Sequence, residues 1–533
     1  MEGLALDARR IAAENARGIW PERVATDYLD RWVEEKPDAT AIVGWRLEEE
    51  AATTLSWRGL ATRVAGTAAA LEAAGVRQGD VVSFQLPNWW EFVALYLATV
   101  RLGAVANPLM PIFRHRELSF MLRQAEARVF VAPERFRGFD HGALARQLAA
   151  EIPGMKLLGL EICNQPLQGE FEKGARLRPN DVTQLLYTSG TTGESKGALH
   201  TSNTLLGAVR AWAAYMRFAP DDVIFMPSPL AHQLGFCYGM LLALGLGVPL
   251  VLTDIWRAAR AAQLILENGA TFCFAATPFL ADLIERGKRL GRLRLFATAG
   301  TTIPPAIVEA ARSRLGIAVA ASWGMTECIS VTATAPDGSR ADSSDGCALP
   351  NGEVRIVGDD GRELPRGATG ALQVRGSSLF VGYLKRPQLY RLDADGWFDT
   401  GDLARMDEEG YIRICGRTKD VIIRGGENIP VVEVEAALYR MPQVAEAALV
   451  AMPDPRLQER ACAFVTLKPG HSLDLATVAR GLAAEGFTKH FWPERLEVLA
   501  EMPRTATGKI QKFVLRSLAK ELRPQMDDAA RAA

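Results

Sequence analysis

The sequence lacks the features that mark secreted, membrane-spanning or polyanion-coating proteins. Its seven cysteines are scattered without a C-x-x-C pair, which disfavours a disulfide framework or a zinc site and indicates a reducing compartment. Lys and Arg number 61 against 62 Asp and Glu, which argues against a surface built to coat nucleic acid or anionic membranes. Residues 1–18 carry charges throughout and no long apolar run, so no signal peptide is expected. Together these features predict a cytoplasmic protein.

One stretch, residues 233–253, carries no formal charge and is long enough to cross a bilayer. Several glycines and Pro249 interrupt it, and its end, VPLVLT, has the composition of a buried strand. We therefore expect a core helix followed by a core strand, and no transmembrane segment.

The chain has 533 residues, too many for one compact domain, and helical and strand patterns alternate as far as Ala321. A helix is expected to end at Gly75, and a strand over 81–86, a helix capped by Asn88 and a stop at Gly103 follow. Such alternation predicts parallel sheets covered by helices, with ligands bound beyond the carboxyl ends of the strands.

The sequence changes character from about residue 345. The segments GEVRIVG, GALQVRG and GYIRICG alternate apolar and polar residues between glycine-rich turns, as antiparallel hairpins do. A mixed stretch follows Arg417 and contains a basic helix expected over 511–522. The predicted fold class is α/β: a large N-terminal domain with parallel helix-covered sheets and a small antiparallel β subdomain, and then an α+β C-terminal domain.

The segment YTSGTTGESKG, residues 187–197, follows an apolar run and is expected to precede a helix. Its glycines let backbone N–H groups approach an anion, its hydroxyls add donors and Lys196 adds charge, so the loop suits a triphosphate. The Walker A spacing fails, because Ser195 occupies the position of that motif's second glycine. A P-loop kinase or GTPase is therefore disfavoured.

Residues 193–197 also fit the G-x-S-x-G pattern of serine hydrolases, with Ser195 as the nucleophile. That nucleophile must stand at the immediate end of a strand, whereas the strand here is expected to end near Thr188. A serine hydrolase stays an alternative, and a plain surface loop is a further one.

The same loop resembles the phosphate-binding loop of the adenylate-forming superfamily, which contains acyl- and aryl-CoA synthetases, peptide-synthetase adenylation domains and luciferases. Other superfamily motifs follow in the expected order: TAGTTIPP (298–305), SWGMTE (322–327), WFDTGD (397–402), GRTKDVIIRGGENI (416–429) and PRTATGKI (503–510). Residues 85–118 are similar to synthetases that act on cyclohexanecarboxylate and on short- or medium-chain acids. The resemblance spans almost the whole chain.

The resemblance implies an acyl-CoA ligase with a role in fatty acid metabolism. The carboxylate of the acid would attack the α-phosphate of ATP, giving an acyl-adenylate and pyrophosphate, and CoA would then take the acyl group. The site must neutralise charge as it moves onto the phosphates. ATP contacts are implied for Thr188, Ser189, Gly190, Thr191, Thr192, Gly193, Lys196, Gly300, Thr301, Trp323, Gly324, Thr326, Asp402, Arg417 and Lys509.

Three of these residues are implied to be catalytic. Thr326 would contact the α-phosphate, and Glu327 would ligate Mg²⁺, a hard cation that prefers carboxylate and phosphate oxygens. Lys509 would bridge the substrate carboxylate and the α-phosphate as charge develops in the first step.

The resemblance also implies how adenosine is bound. Trp323 stands where the family usually has tyrosine, so an aromatic face still flanks the adenine. Gly300 and Thr301 would line the same base. Asp402 would accept hydrogen bonds from the ribose hydroxyls, with Arg417 beside it.

Lys419 matches the hinge position of the superfamily, so a mobile C-terminal domain with two poses is implied. In the second pose Gly425 and Gly426 would border the tunnel for the pantetheine arm of CoA, because glycines let a narrow chain pass the backbone. The implied boundaries are 1–418 for the ATP- and acid-binding domain and 419–533 for the lid.

Residues 228–240 align with the wall of the acid-binding pocket, where His232 would lie near the carboxylate and Leu234, Phe236 and Tyr238 would supply apolar lining. A lone histidine in a buried segment can equally be a core residue. The segment contains no Asp or Arg, which disfavours amino acids and dicarboxylates. An uncharged cyclic, aromatic or medium-chain acid is left.

Two other classes stay open at this point: a serine hydrolase acylated on Ser195, and a non-catalytic sensor that binds ATP without releasing pyrophosphate. The expected partners are small molecules, namely the acid, ATP and CoA. Nucleic acid is not expected, and a homodimer is left open.

Overall fold

The structure is a computed structural model that describes residues 6, 8–165, 177–188, 195–299, 303–417, 420–424, 427–504 and 510–524. Its contacts divide the chain into two compact units. The first comprises Met1–Val354 and Val374–Phe398, and the second comprises Arg355–Gln373 and Asp399–Ala533. The second unit includes residues 355–373 and 399–417, which precede the predicted boundary after residue 418. That boundary stays a prediction.

The described helices of the first unit separate and cover two sheets. In chain order they are α1 (Ala8–Ala16), α2 (Ala25–Glu35), α3 (Trp57–Ala73), α4 (Trp90–Arg101), α5 (His115–Ala125), α6 (His141–Glu151), α7 (Ser202–Tyr215), α8 (Gln233–Gly235), α9 (Leu242–Leu246), α10 (Ala258–Glu267), α11 (Thr277–Glu285) and α12 (Pro305–Ala310). Two π-helical segments, Phe236–Leu241 and Ala311–Leu315, join α8 to α9 and extend α12. Short 3₁₀ helices occur at Leu160–Asn164 and Pro387–Leu389.

The described strands of the first unit form two large sheets and one small hairpin. They are β1 (Thr40–Arg46), β2 (Ala51–Ser56), β3 (Val81–Phe84), β4 (Val105–Pro108), β5 (Val129–Val131), β6 (Arg135–Phe136), β7 (Phe139–Asp140), β8 (Lys156–Leu158), β9 (Val182–Thr188), β10 (Lys196–Thr201), β11 (Ile224–Met226), β12 (Leu250–Thr253), β13 (Phe272–Phe274), β14 (Leu295–Ala299), β15 (Ala318–Met325), β16 (Ile329–Ala333) and β17 (Cys347–Ala348).

Both large sheets are parallel at their centres; the larger is antiparallel at both edges and the smaller at one edge. One has the order β17-β16-β15-β14-β13-β11-β12-β1-β2, and the other has the order β10-β9-β4-β3-β5-β8. The carboxyl ends of β14 and β15 lie side by side, because Ala299 pairs with Ser322. The predicted parallel, helix-covered architecture is therefore confirmed.

Alternation along the strands explains the layers of the first unit. Ile224 and Met226 belong to the core cluster with α3, α4 and α7, whereas Phe225 faces the cluster with α10 and α11. Successive strand residues point to opposite faces, so an uninterrupted apolar strand contributes to two cores. A third cluster packs α5 and α6 on the outer face of the β3–β4–β9 sheet.

Residues 233–253 form a buried helical segment followed by β12, as expected, and none of the helices that the structure describes is both long and apolar enough to cross a bilayer. The expectation that Asn88 caps α4 is wrong, since the N-cap is Trp89. The Asn88 amide instead donates to the carbonyl of Ser228 at 2.9 Å and accepts from Leu230 N–H at 2.8 Å.

The remaining elements belong wholly or in part to the second unit. They are β18 (Gly352–Val357), β19 (Thr369–Gly376), β20 (Phe398–Met406), β21 (Ile412–Arg417), β22 (Ile422–Arg424), β23 (Glu427–Ile429), α13 (Val431–Arg440), β24 (Val444–Asp454), β25 (Gln458–Leu467), α14 (Leu475–Ala484), a 3₁₀ turn (Lys489–Phe491), β26 (Arg495–Val498) and α15 (Lys512–Ala519).

Strands β18 to β21 form one sheet, and β22 to β26 form another. In the second sheet Leu449 and Ala463 face the cluster with α13 and α14, while Val450 and Phe464 face the cluster with α15. The alternation of apolar side chains on both faces again explains why helices cover both sides. The predicted hairpins and α+β C-terminal part are confirmed.

Candidate active site

The predicted phosphate loop is the connection of a β-hairpin. β9 ends at Thr188 and β10 begins at Lys196, and these residues face each other in antiparallel register. Residues 189–194 fall outside the described ranges. Residues 196–201 pair with β9, and the helix expected after the loop, α7, begins at Ser202. Ser195 therefore precedes a strand, and it does not occupy the strand-to-helix turn of a nucleophile elbow.

An extended segment, residues 381–384, lies along β10. Backbone hydrogen bonds of 2.8–3.0 Å join it to residues 197–199, and Tyr383 is paired with Ala198. This ladder brings the Tyr383 ring to Lys196, whose Nζ lies 5.2 Å from the ring centre. A cation at this distance from an aromatic face is attracted by the quadrupole of the ring. Within the described part of the chain, Lys196 forms no ion pair.

The end of β15 and the turn after it carry Trp323, Gly324, Thr326 and Glu327. At Gly324 the register with β16 shifts, and an added Cβ would overlap the carbonyl oxygen of Ile329, so glycine is needed there. Ile329 has a φ of +59°, a value that β-branched residues rarely adopt. Trp323 is buried. The tight turn, strained at Ile329, therefore places Thr326 and Glu327 just after the carboxyl end of β15.

The side chain and backbone of Glu327 are both held by the segment that contains Tyr383. Glu327 is 5% exposed, and its Oε1 accepts a hydrogen bond from the Tyr383 hydroxyl at 2.6 Å. The Glu327 carbonyl accepts from Phe380 N–H at 2.7 Å. Burial and the neighbouring Glu327 charge raise the pKa of Tyr383, so the tyrosine keeps its proton and acts as the donor.

His200, which no motif marks, is fully buried on β10. Its Nε2 lies 2.7 Å from the carbonyl oxygen of Thr326, and its Nδ1 lies 3.1 Å from Thr204 Oγ1. Burial lowers the pKa of His200 to about 4, so the ring is neutral at neutral pH. Because a carbonyl oxygen can only accept, Nε2 carries the proton and donates it to Thr326. His200 thus fixes the backbone beside Glu327.

Glu327 fits a magnesium ion that arrives with a nucleotide. Among the residues that the structure describes, no cluster of three or more His, Cys, Asp and Glu could enclose a metal. Mg²⁺ in phosphate-transfer sites is held by one or two carboxylates, by water and by the phosphates themselves. A single buried, oriented carboxylate is the protein ligand that such a site requires.

The predicted ribose-binding pair lies within the second unit. Asp402 on β20 and Arg417 on β21 are cross-strand partners, with 3.0 Å between Arg417 Nε and Asp402 Oδ1. Asp402 is buried, and its backbone N–H donates to Thr400 Oγ1 at 3.1 Å. The antiparallel ladder therefore brings the two predicted residues together, while their contact with ribose stays a prediction.

The predicted wall of the acid pocket, residues 228–240, includes α8. His232 caps this helix, and its Nδ1 accepts from Leu234 N–H at 3.3 Å. His232 and Leu234 are half-buried, whereas Phe236 and Tyr238 are fully buried in the main core. The Tyr238 hydroxyl accepts from Ser330 N–H at 3.1 Å. The structure thus gives Phe236 and Tyr238 packing roles, and the contact of all four predicted residues with an acid stays a prediction.

The first unit brings Thr188, Lys196, Thr326 and Glu327 together through His200 and Tyr383. No motif marked those last two residues; the signal that could have found them is a polar side chain within an apolar, buried run. The predicted residues outside the described ranges are Ser189, Gly190, Thr191, Thr192, Gly193, Gly300, Thr301, Lys419, Gly425, Gly426 and Lys509.

Known families and proteins match nearly the whole chain. The family described as AMP-binding enzyme matches residues 29–384, and the AMP-binding enzyme C-terminal domain matches 433–509. The medium-chain fatty-acid–CoA ligase of Escherichia coli strain K12 is 35% identical, over 96% of this chain and 93% of that protein. The salicylyl-CoA synthase / salicylate adenylyltransferase of a Streptomyces species is 32% identical, over 94% and 95%. ATP-bound MatB from Rhodopseudomonas palustris has a TM-score of 0.83 at 29% identity, covering 94% of this chain and 99% of that chain.

Proposed function

This chain belongs to the AMP-binding enzyme family and is an adenylate-forming CoA ligase of carboxylic acids, and we propose that it activates an uncharged cyclic, aromatic or medium-chain acid. ATP is bound in the related MatB structure, and CoA is the second substrate that the family implies. We further propose that the metal is Mg²⁺ and that the enzyme acts in fatty acid metabolism.

One observation carries the proposal for the ATP site: Lys196 and Glu327, which have opposite charges, contact the same side chain, Tyr383. They come from β10 and from the turn after β15, so the fold and not the local sequence brings them together. A cation for phosphate oxygens next to a carboxylate for Mg²⁺ is the combination that a metal–triphosphate complex needs.

The first half-reaction forms one bond and breaks one. A carboxylate oxygen of the acid attacks the α-phosphorus, and pyrophosphate leaves as the bond between the α-phosphorus and the bridging oxygen breaks. Thr326 would donate to the α-phosphate, and Lys509 would bridge this phosphate and the attacking carboxylate. Mg²⁺, when bound at Glu327, would supply positive charge to the departing phosphates.

In the second half-reaction the CoA thiolate attacks the acyl carbonyl carbon, and AMP leaves. We propose that the C-terminal domain changes its pose about Lys419 between the two steps, because a hinge residue can absorb a large change in φ and ψ. Gly425 and Gly426 would then border the pantetheine arm.

The substrate class rests on the predicted pocket segment, residues 228–240. Pro229, His232 and Leu234 are half-buried in it, and the segment contains no Asp, Glu, Lys or Arg. A second carboxylate or an ammonium group on the acid would have no counter-charge in this segment, which would cost several kcal/mol on burial. Two of the curated relatives are named for a medium-chain fatty acid and for salicylate, which supports an uncharged acyl group, whereas another is named for sulfoacetate.

The test is pyrophosphate release from MgATP with a panel of acids, each measured with and without CoA. Octanoate, cyclohexanecarboxylate, benzoate and salicylate form the positive arm, and succinate and phenylalanine form the charged arm. We expect acid-dependent pyrophosphate release in the first arm, and a thioester only when CoA is present. Acid-dependent release in the charged arm alone would contradict the substrate class.

The same assay separates the alternatives. A nucleotide sensor would bind ATP and release no pyrophosphate with any acid. A hydrolase would need no ATP, and mass spectrometry would find an acyl group on Ser195. Either result would overturn the proposed function.

A further inference from the structure

We propose that Tyr383 is a positioning residue of the ATP site, which orients the Glu327 carboxylate for the metal and holds Lys196 for the phosphates. The inference rests on the proposed function and assigns a role to a residue that no motif marked. It concerns the first unit alone.

The contact with Glu327 is short and directional. The distance of 2.6 Å between Tyr383 Oη and Glu327 Oε1 lies in the range of charge-assisted O–H···O⁻ bonds. The terminal torsion of a glutamate is otherwise broad, so a bond to one oxygen selects one orientation of the carboxylate plane. The Tyr383 bond to the Glu327 carboxylate and the Phe380 N–H bond to the Glu327 carbonyl together orient Glu327 before a metal binds. Loss of such a hydrogen-bond partner of a metal ligand typically lowers metal affinity by roughly 10- to 100-fold.

Tyr383 is itself fixed in place, as a positioning residue must be. It is 4% exposed, and its ring packs edge-on against Phe380 with 4.7 Å between ring centres. Its backbone is paired with Ala198 of β10. Because the hydroxyl and the ring belong to one rigid side chain, the position of Glu327 is coupled to that of Lys196.

The ring makes the second contact independently of the hydroxyl. Lys196 Nζ lies 5.2 Å from the ring centre, within the range of a cation–π interaction. Tyr383→Phe keeps this face and removes the bond to Glu327, whereas Tyr383→Leu removes both. The two contacts can therefore be tested separately.

The first test measures Mn²⁺ binding by electron paramagnetic resonance in the presence of α,β-methylene-ATP, which needs no acid and no turnover. We expect Tyr383→Phe to weaken Mn²⁺ binding in this complex by roughly tenfold or more. In the pyrophosphate assay the half-saturating free Mg²⁺ should rise by a similar factor, while kcat at saturating Mg²⁺ changes much less. Mn²⁺ affinity within about twofold of the wild type would overturn the role toward Glu327.

Tyr390→Phe is the matched control. The Tyr390 ring also packs on Phe380, at 4.8 Å, and its hydroxyl donates to the Phe380 carbonyl at 3.1 Å. This variant removes a hydroxyl from the same aromatic cluster without touching Glu327, so Mn²⁺ affinity should stay unchanged. Equal weakening in both variants would assign the effect to packing and would overturn the proposal.

The second test measures binding of the same nucleotide in EDTA, where the metal cannot contribute. Tyr383→Phe should bind it as the wild type does, and Tyr383→Leu should bind it several-fold more weakly because Lys196 loses the ring. Equal binding by the two variants would overturn the role toward Lys196. Circular dichroism and the thermal midpoint establish that each variant is folded.

The outcomes also separate this inference from the proposed function. A wild-type protein that binds Mn²⁺ and the nucleotide but releases no pyrophosphate with any acid contradicts the proposed function. An active wild type whose metal affinity does not depend on the Tyr383 hydroxyl contradicts this inference alone.

Discussion

The buried histidine on β10 makes the stability of the first unit depend on pH. His200 is fully buried and donates to the Thr326 carbonyl, so it folds in its neutral form. Its ordinary pKa is 6.5, and burial lowers the pKa of His200 to about 4. Between these two values the unfolded chain binds the proton and the folded chain does not. Stability due to this group is therefore present above pH 6.5 and is lost as the pH falls toward 4.

The size of the effect follows from the two pKa values. Going from pH 8 to pH 5, protonation of the unfolded chain costs about 2 kcal/mol of unfolding free energy. Below pH 4 the loss approaches about 3 kcal/mol. His200→Gln removes the titrating ring and keeps an N–H donor, so this variant should lose about 2 kcal/mol less than the wild type over the same pH interval.

Equilibrium urea unfolding followed by tryptophan fluorescence provides the measurement, with unfolding free energies from linear extrapolation at pH 8 and pH 5. Other groups titrate alike in both proteins, so their contributions cancel in the difference. His115→Gln is the control, because the His115 side chain is only half-buried and pairs with Glu151 at 2.8 Å. The explanation is refuted if wild type and His200→Gln lose equal stability between the two pH values.

Three further predictions follow from the proposed function. Lys509→Ala should lower adenylate formation by about 100-fold or more, yet leave thioester formation from supplied acyl-adenylate largely intact; equal loss of both half-reactions would contradict its role. Lys419→Pro should spare acid-dependent pyrophosphate exchange and cripple thioester formation, so unchanged overall turnover would count against a hinge. Asp402→Asn keeps the side-chain volume and loses the charge, so the KM for ATP should rise roughly tenfold with a smaller change in kcat; an unchanged KM would remove Asp402 from the ribose site.

Local patterns predicted the layered fold because each depends on residues close together in the chain. β14 spans Leu295–Ala299, as expected from its apolar run, and the uncharged stretch at 233–253 forms a helix and a strand in the core. Strand alternation likewise predicted the hairpins after residue 345. Periodicity and turn residues determine these elements before any tertiary contact forms.

The prediction that Asn88 caps a helix was wrong because of contacts between distant segments. Asn88 has a side chain suited to a helix cap, but tertiary hydrogen bonds to the loop at Ser228 and Leu230 use it instead. No element was predicted for residues 196–201, and only pairing with β9 makes them a strand. Local preference is a weak signal where a long-range partner competes for the same group.

Tyr383 and His200 were not predicted for the same reason, namely that their partners are distant in the sequence. Tyr383 meets Glu327 across 56 residues of chain, and His200 meets Thr326 across 126. No spacing rule relates such positions, because the sheet topology alone makes them neighbours. The motifs predicted the charged residues Lys196 and Glu327, and the structure revealed the residues Tyr383 and His200 that orient this part of the site.

Attack of a carboxylate oxygen on the α-phosphate, ahead of attack by the CoA thiolate, can be followed with an acid labelled with ¹⁸O in its carboxylate. The attacking oxygen becomes the bridge of the acyl-adenylate and leaves with AMP when the thiolate attacks the carbonyl carbon. The predicted result is one ¹⁸O in each AMP, with thioester formed in equal amount. Unlabelled AMP, or label found in ADP or inorganic phosphate instead, would contradict the mechanism.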